Sequence, residues 1–372
     1  MIKSLHITAL ILLFGCTLHA QVTDNNWPVF RGRNDLSGSI KAELPNNPAL
    51  IWNLATGART KSSPVISDGV IYFGNDQGTL FAVSTDGRIK WKFETGSPVE
   101  APPLVSGDMV YAGSSDGILR AVNKTNGKLA WTYSTDGQIA GSANTWSAGK
   151  LAGIIIGSYD YYLHCVEPLT GKLIWKLETM NYVNGTPAVS NNRIIFGGCD
   201  GIMRVVDPRT GIERDTFNIG VYIAASPAVV NDKVYFGDYD GRFYCVDIIQ
   251  GKMVWKTPAG ETAGSILGIP AATGNYVVIG REDKQLYCYN APDGQFKWKF
   301  RTNGRVNGSA VITPSKVLAG SMDGFIYMVG LASGKKLWSF NCGAPVSSSP
   351  AVSQGRFYIL TEEGRLLAFG DK

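Results

Sequence analysis

Ala121-Val122-Asn123-Lys124-Thr125-Asn126-Gly127-Lys128-Leu129-Ala130-Trp131 reads as the end of one strand, a tight turn, and the strand that returns beside it. Apolar residues flank the Lys-Thr-Asn-Gly segment, and Gly127 stands where such a turn needs a positive φ. Working outward, Ile118–Val122 completes the first strand, and Ser114-Ser115-Asp116-Gly117 is a second hairpin turn. Met109–Gly113 reads as the strand before that turn. Pro103-Leu104-Val105 opens the innermost strand, where proline is tolerated at the first position. The unit is a four-stranded meander whose last strand carries Trp131.

The unit recurs. Trp131 is one of seven tryptophans, Trp52, Trp91, Trp131, Trp175, Trp255, Trp298 and Trp338, spaced by 39, 40, 44, 80, 43 and 40 residues. The double step hides an eighth member, because Asp215 stands where its tryptophan is expected. The turn glycines repeat in step, as in Asp200-Gly201, Asp240-Gly241 and Asp323-Gly324. Eight copies of a strand-rich unit of this length predict an all-β protein, an eight-bladed β-propeller of four-stranded antiparallel blades. The chain stops after Arg365–Phe369, a third strand, and Ile51-Trp52-Asn53-Leu54 supplies the missing fourth. The ring is therefore expected to close through an N-terminal strand in the last blade, which removes exposed sheet edges.

The organisation read from the sequence is a signal peptide over 1–20, an N-terminal extension over 21–48 that packs on the propeller, and the propeller over 49–372. Lys3 and the short apolar run from Ile7 to Gly15 suit an export signal and fall short of a membrane span. Two processing routes stay open. Cleavage after Ala20 would release a periplasmic or secreted protein. Leu13-Phe14-Gly15-Cys16 resembles a lipobox, which would leave Cys16 lipidated and the protein on the outer membrane, although Phe14 is bulky for that motif.

Each docking tryptophan is expected to wedge an outer strand against the next blade. Burying a whole indole would contribute at most roughly 4–6 kcal/mol. Asp215 predicts a looser or differently packed junction after blade four, or one in which Phe217 makes up the loss. Cys165, Cys245 and Cys288 share one repeat position with Ala82, Ala121, Val205, Met328 and Ala368, so they read as small buried residues and not as disulfide partners.

The formal charge is +5 over 372 residues, with Lys and Arg scattered over turns and no basic run, which gives no sign of a nucleic-acid partner. Catalytic candidates are scarce. His164 is the single histidine outside the signal and sits mid-strand, where other repeats carry Arg120, Arg204, Tyr244, Tyr287 and Tyr327. No histidine pair exists for zinc and no Cys-x-x-Cys-His for covalent haem. Asp238 with Asp240, and Glu282 with Asp283, lie in turns, where carboxylates commonly cap backbone N–H groups.

Ala121 to Trp131, Cys165 to Trp175 and Cys245 to Trp255 resemble the tryptophan-docking motif of the PQQ-like β-propeller family. Trp27-Pro28-Val29-Phe30-Arg31-Gly32 is similar to the lead-in of its secreted bacterial members. The resemblance covers about residues 27 to 372. The family includes quinoprotein dehydrogenases and the envelope-assembly lipoprotein BamB. It therefore implies either pyrroloquinoline quinone (PQQ) with calcium in the channel, or a scaffold that binds its partners through loops. The sequence lacks the vicinal cysteines of the enzymes, and its inter-blade loops are short, which disfavours the quinone. It also lacks the Leu-x-Leu-Arg-Gly docking segment of BamB, so the same contact is in doubt.

The expectation is an exported non-catalytic monomer that binds a protein or envelope polymer through one propeller face. The alternatives are a quinoprotein oxidoreductase and a carbohydrate-binding or sensor propeller. Candidate contact residues lie where loops leading to the channel differ between repeats: Lys61, Glu100, Tyr182, Asn184, Tyr222, Arg305 and Asn307. Trp146, outside the docking series, reads either as an interface anchor or as packing within the longer third blade. No metal site is expected.

Overall fold

The computed structural model describes residues 26–258 and 264–371; the expected signal peptide and Cys16 lie outside them. The described strands form eight four-stranded antiparallel sheets, and adjacent sheets touch through their innermost strands. Blade one runs Val65–Ser67, Val70–Gly74, Thr79–Ser84 and Ile89–Glu94 from the axis outward. Blade eight takes Ala351–Ser353, Arg356–Leu360 and Arg365–Gly370 from the C-terminus and Ala49–Ala55 from the N-terminus. Trp52 pairs with Ala368 and Leu54 with Leu366, so the ring closes as the repeat count requires.

Burial explains the texture of the repeats. Second and third strands are covered on both faces and are nearly continuous apolar runs. Outer strands alternate, with half-buried positions between exposed ones. The position shared by Ala82, Ala121, Cys165, Val205, Cys245, Cys288, Met328 and Ala368 lies directly across the sheet from the docking position. A register shift accompanies this pair in every blade, so a bulge beside a small or slender residue makes room for the indole. All five described cysteines are unpaired. Burial pushes the Cys165 thiol up to about 11 and those of Cys245, Cys288 and Cys342 up to about 12, which leaves them inert at neutral pH.

The indoles dock through one contact. Trp131 lies against Gly171 of the next blade, where an added Cβ would come within 2.4 Å of the ring. Its Nε1 donates to the Pro168 carbonyl at 3.0 Å. Trp52, Trp91, Trp175, Trp255 and Trp298 repeat this arrangement on Gly87, Gly127, Gly211, Gly294 and Gly334. Most of these rings are only half-buried, so each contributes less than full burial would give. Trp338 instead packs edge-on to Phe357 and Phe369 of blade eight.

The segment from Asn26 to Leu44 does more than pack on the ring: it threads the channel. It bonds the inner strands of blades one to seven in turn. Trp27 exchanges two backbone bonds with Ile66, Val105 donates to Pro28, and Val189 to Asn34. Val229 donates to Asp35, Ala272 to Ser37 and Ile312 to Gly38. Asn34 Nδ2 donates to the Thr145 carbonyl in blade three. Val29, Leu36, Trp27 and Leu44 sink into three different clusters of the core. Innermost strands would otherwise leave N–H groups unpaired at the axis, and this segment satisfies them.

Candidate functional site

Each loop from an outer strand to the next inner strand ends in a hydroxyl-bearing or apolar residue, then a proline or alanine, at the channel rim. The register is Ser63, Pro102, Ser142, Thr186, Ser226, Ile269, Ser309 and Ser349. The hydroxyls form a collar in which the backbone N–H of one blade donates to the Oγ of the next. Ser142 donates to Thr186, Thr186 to Ser226, Ser309 to Ser349 and Ser349 to Ser63, at 2.7–3.1 Å. With the Ile269 N–H donating to Ser309 at 2.8 Å, these bonds tie together seven of the eight loops around the axis.

Above it lies a funnel of about 250 Å³ lined by residues from all eight blades, with Phe30 of the threaded segment at its inner end. The structure brings Lys61, Glu100, Asn184 and Asn307 together here. Lys61 Nζ lies 2.9 Å from Glu100 Oε1. That hydrogen bond holds the lysine above its ordinary pKa. The side-chain oxygens of Asn184 and Asn307 are buried without a protein partner.

Tyr182, Tyr222 and Arg305 stand on the same face, outside the funnel. Arg305 pairs with Glu282 at 3.1 Å. Tyr182 stacks on Tyr159 with centroids 4.5 Å apart and tilts against Tyr161 at 5.2 Å. The Tyr222 carbonyl accepts from the Tyr239 N–H, which brings those two chain segments together. Tyr161, Met180, Tyr182, Tyr222 and Tyr239 are all exposed. An aromatic patch therefore covers blades three to five on this face, while blades eight, one and two carry the charges of Arg59, Lys61, Asp76, Glu100 and Glu362.

Trp146 does not belong to this face. It is buried within blade three, its Nε1 3.5 Å from the Cys165 sulfur, so it packs and does not present a contact surface. Sequence reading also missed Tyr159, Tyr161 and Tyr239, which lie in hairpin turns far from Tyr182 and Tyr222 in the chain. The signal was available: Tyr159 and Tyr239 stand where other turns carry Asp76 and Ser115, and Tyr161 where others carry Gly78 and Gly117.

His164 is structural. Its Nε2 lies 3.0 Å from Asp160 and its Nδ1 2.9 Å from the Tyr133 hydroxyl. The same turn-to-strand partnership joins Asp116 to Arg120, Asp200 to Arg204, Asp283 to Tyr287 and Asp323 to Tyr327. The turn carboxylates also accept backbone N–H groups, as Asp116 does from Ile118 and Asp238 from Arg242.

The fold and the site define a closed eight-bladed propeller with a channel plugged by its own N-terminal segment and one face left open. The chain belongs to the PQQ-like repeat family, whose model, described as outer membrane protein assembly factor BamB, matches residues 37–152, 151–258, 214–300 and 301–372. No curated protein matches the sequence. Among solved structures, BamB from Moraxella catarrhalis is similar at 16% identity and a TM-score of 0.75, over 87% of this chain and 100% of that one. A europium-containing methanol dehydrogenase is similar at 12% identity and a TM-score of 0.81, over 94% and 98%. A quinohemoprotein alcohol dehydrogenase from Comamonas testosteroni is similar at 13% and 0.79, over 93% and 81%. At these identities the likeness is one of fold, and it includes scaffolds and enzymes alike.

Proposed function

We propose that this protein is a non-catalytic, envelope-located scaffold that binds a protein partner through the face bearing the funnel and the tyrosines. The observation that carries this reading is the exposed group Tyr161, Met180, Tyr182, Tyr222 and Tyr239. Tyrosine supplies large contact area at low entropic cost, methionine adapts its shape to a partner, and exposed clusters of them mark interaction sites. The family's description as an outer-membrane assembly factor supports the same class and an envelope location.

The residues present do not suit PQQ with calcium. The one carboxylate in the funnel lining, Glu100, is engaged by Lys61, and no tryptophan lines the funnel to serve as a stacking floor. Among the described residues no group of three His, Cys, Asp or Glu side chains is placed to hold a metal ion.

The test is capture of envelope proteins by the purified full-length chain beside a Tyr182→Ala/Tyr222→Ala variant. The expected result is a stoichiometric partner that the variant binds at least about 10-fold more weakly, since losing two anchor tyrosines removes more than about 1.4 kcal/mol. Dye reduction on adding PQQ and Ca²⁺, with equal capture by both proteins, would overturn the reading in favour of the oxidoreductase. Saccharide affinity lost in the variant, without a protein partner, would favour the carbohydrate-binding alternative.

A further inference from the structure

Arg31 is the odd residue of the threaded segment. It is fully buried, yet its Nε and Nη1 have no protein partner. Its Nη2 reaches only the Pro270 carbonyl, at 3.5 Å. Among the described residues no carboxylate lies within ion-pair distance of it, although the neighbouring Arg33 pairs with Asp35 at 3.1 Å. A side chain of this kind is rarely buried unless it is paired.

The backbone is shaped around the guanidinium. Arg31 itself has φ 69°, a strained value for a residue with a Cβ. Gly38, at φ 59°, lies so close that an added Cβ would come within 1.8 Å of Nη2. The group is thus gripped in one place. Its chain neighbours line two cavities. Phe30 and Ile269, each preceding a residue of this contact, line the funnel. Gly32 and Ser39, which follow Arg31 and Gly38 in the chain, line a second cavity of about 100 Å³ whose wall includes Arg33 and Lys41.

We propose that the channel plug houses a small-anion site, sized for chloride, with the Arg31 guanidinium as its cation. The anion neutralises a charge that would otherwise stand alone at the axis, and it ties the N-terminal segment into the ring. The absence of exposed guanidinium surface limits the ligand to a small, dehydrated anion and excludes a bulky carboxylate or phosphate ester. Burial also lowers the Arg31 pKa to about 9, which leaves it charged at neutral pH.

The experiment uses the full-length protein with bromide in place of chloride. Crystals grown in sodium bromide should show an anomalous peak within about 3.5 Å of an Arg31 nitrogen. Thermal midpoints at fixed ionic strength should be higher in chloride than in gluconate by about 2 °C or more, since an anion that binds only the folded state stabilises it. Arg31→Met should abolish that difference, and Arg31→Lys, which keeps the charge, should retain part of it. Water without anomalous signal at Arg31 overturns the proposal, as does the same chloride dependence in wild type and Arg31→Met. If Arg31→Met fails to fold, the bromide peak in the wild type decides alone.

Discussion

The junction between blades four and five has Asp215 where the junction between blades three and four has the indole of Trp175. Trp131 and Trp175 each lie on a glycine of the next blade and donate Nε1 to a carbonyl. Asp215, one blade further on, also faces its glycine, with Oδ2 3.1 Å from where a Gly251 Cβ would stand. Its Oδ1 accepts the N–H of Thr216, so the side chain bonds its own strand where the indoles donate across the junction. Phe217 does not stand in for the indole. It pairs with Met203 as Leu177 pairs with Leu163, the ordinary place for its register. The ring thus tolerates a junction without its wedge, because inner and middle strands of blades four and five share one continuous core. Docking adds to closure without being its main cause.

That view is easiest to break at Trp175. A half-buried indole removes about 100 Å² of apolar area from water, worth about 2.5 kcal/mol, and its hydrogen bond adds about 1 kcal/mol. Trp175→Ala should therefore lower stability by about 3 to 4 kcal/mol in denaturant unfolding, and Asp215→Ala by less than about 0.5 kcal/mol. Equal losses would mean that Asp215 holds its junction by a contact of its own. The glycines give a second contrast. Gly211 has φ 72° and a Cβ there would strike Trp175 at 2.6 Å, whereas Gly251 has φ 61° and would meet only the flexible Asp215 carboxylate. Gly211→Ala should cost about 3 kcal/mol, from left-handed strain plus overpacking, and Gly251→Ala about 1 kcal/mol from strain alone. Circular dichroism melts of the two variants check the difference.

Much of this was legible in the sequence. The spacing from Trp52 to Trp338 and the truncated last repeat determine blade number and closure, because a periodic contact leaves a periodic trace. The funnel was legible for the complementary reason: Lys61, Glu100, Asn184 and Asn307 break the pattern at one register. The tyrosine patch was only half legible. Tyr182 and Tyr222 lie in channel loops, but Tyr159, Tyr161 and Tyr239 reach them from hairpin turns, and proximity across turns has no linear signature. The threaded segment was the least legible. Asn26 to Leu44 contains no repeat and bonds mostly through its backbone, so its residues carry little record of what they touch.

Restoring the wedge is the converse test. In six junctions the acceptor carbonyl lies 33 to 37 residues beyond the indole. For position 215 the matching residue by the commonest offset, 33, is Ile248, and Gly251 already supplies the flat floor. Asp215→Trp should raise stability by about 1 kcal/mol, read as a higher denaturant midpoint at an unchanged slope. A lower midpoint would show that this junction has repacked around the small acid and no longer has room for the ring.

The smallest contrast lies between turn partnerships. Blades two and four pair their turn carboxylate with an arginine; blade three uses His164. Burial lowers the His164 pKa, and the attraction of Asp160 only partly opposes it. In the unfolded chain the imidazole takes up a proton near about pH 6.5. As pH falls below that value the unfolded state binds the proton first, so stability drops through this window until the folded form is protonated too. Above it both states are neutral and the contribution is constant. His164→Gln should flatten the stability profile below about pH 6.5, leaving a slope set by carboxylates alone. A profile unchanged by the substitution would mean that Asp160 holds the imidazolium in the folded state as well as water does in the unfolded one, which would make blade three's pair equivalent to the arginine pairs beside it.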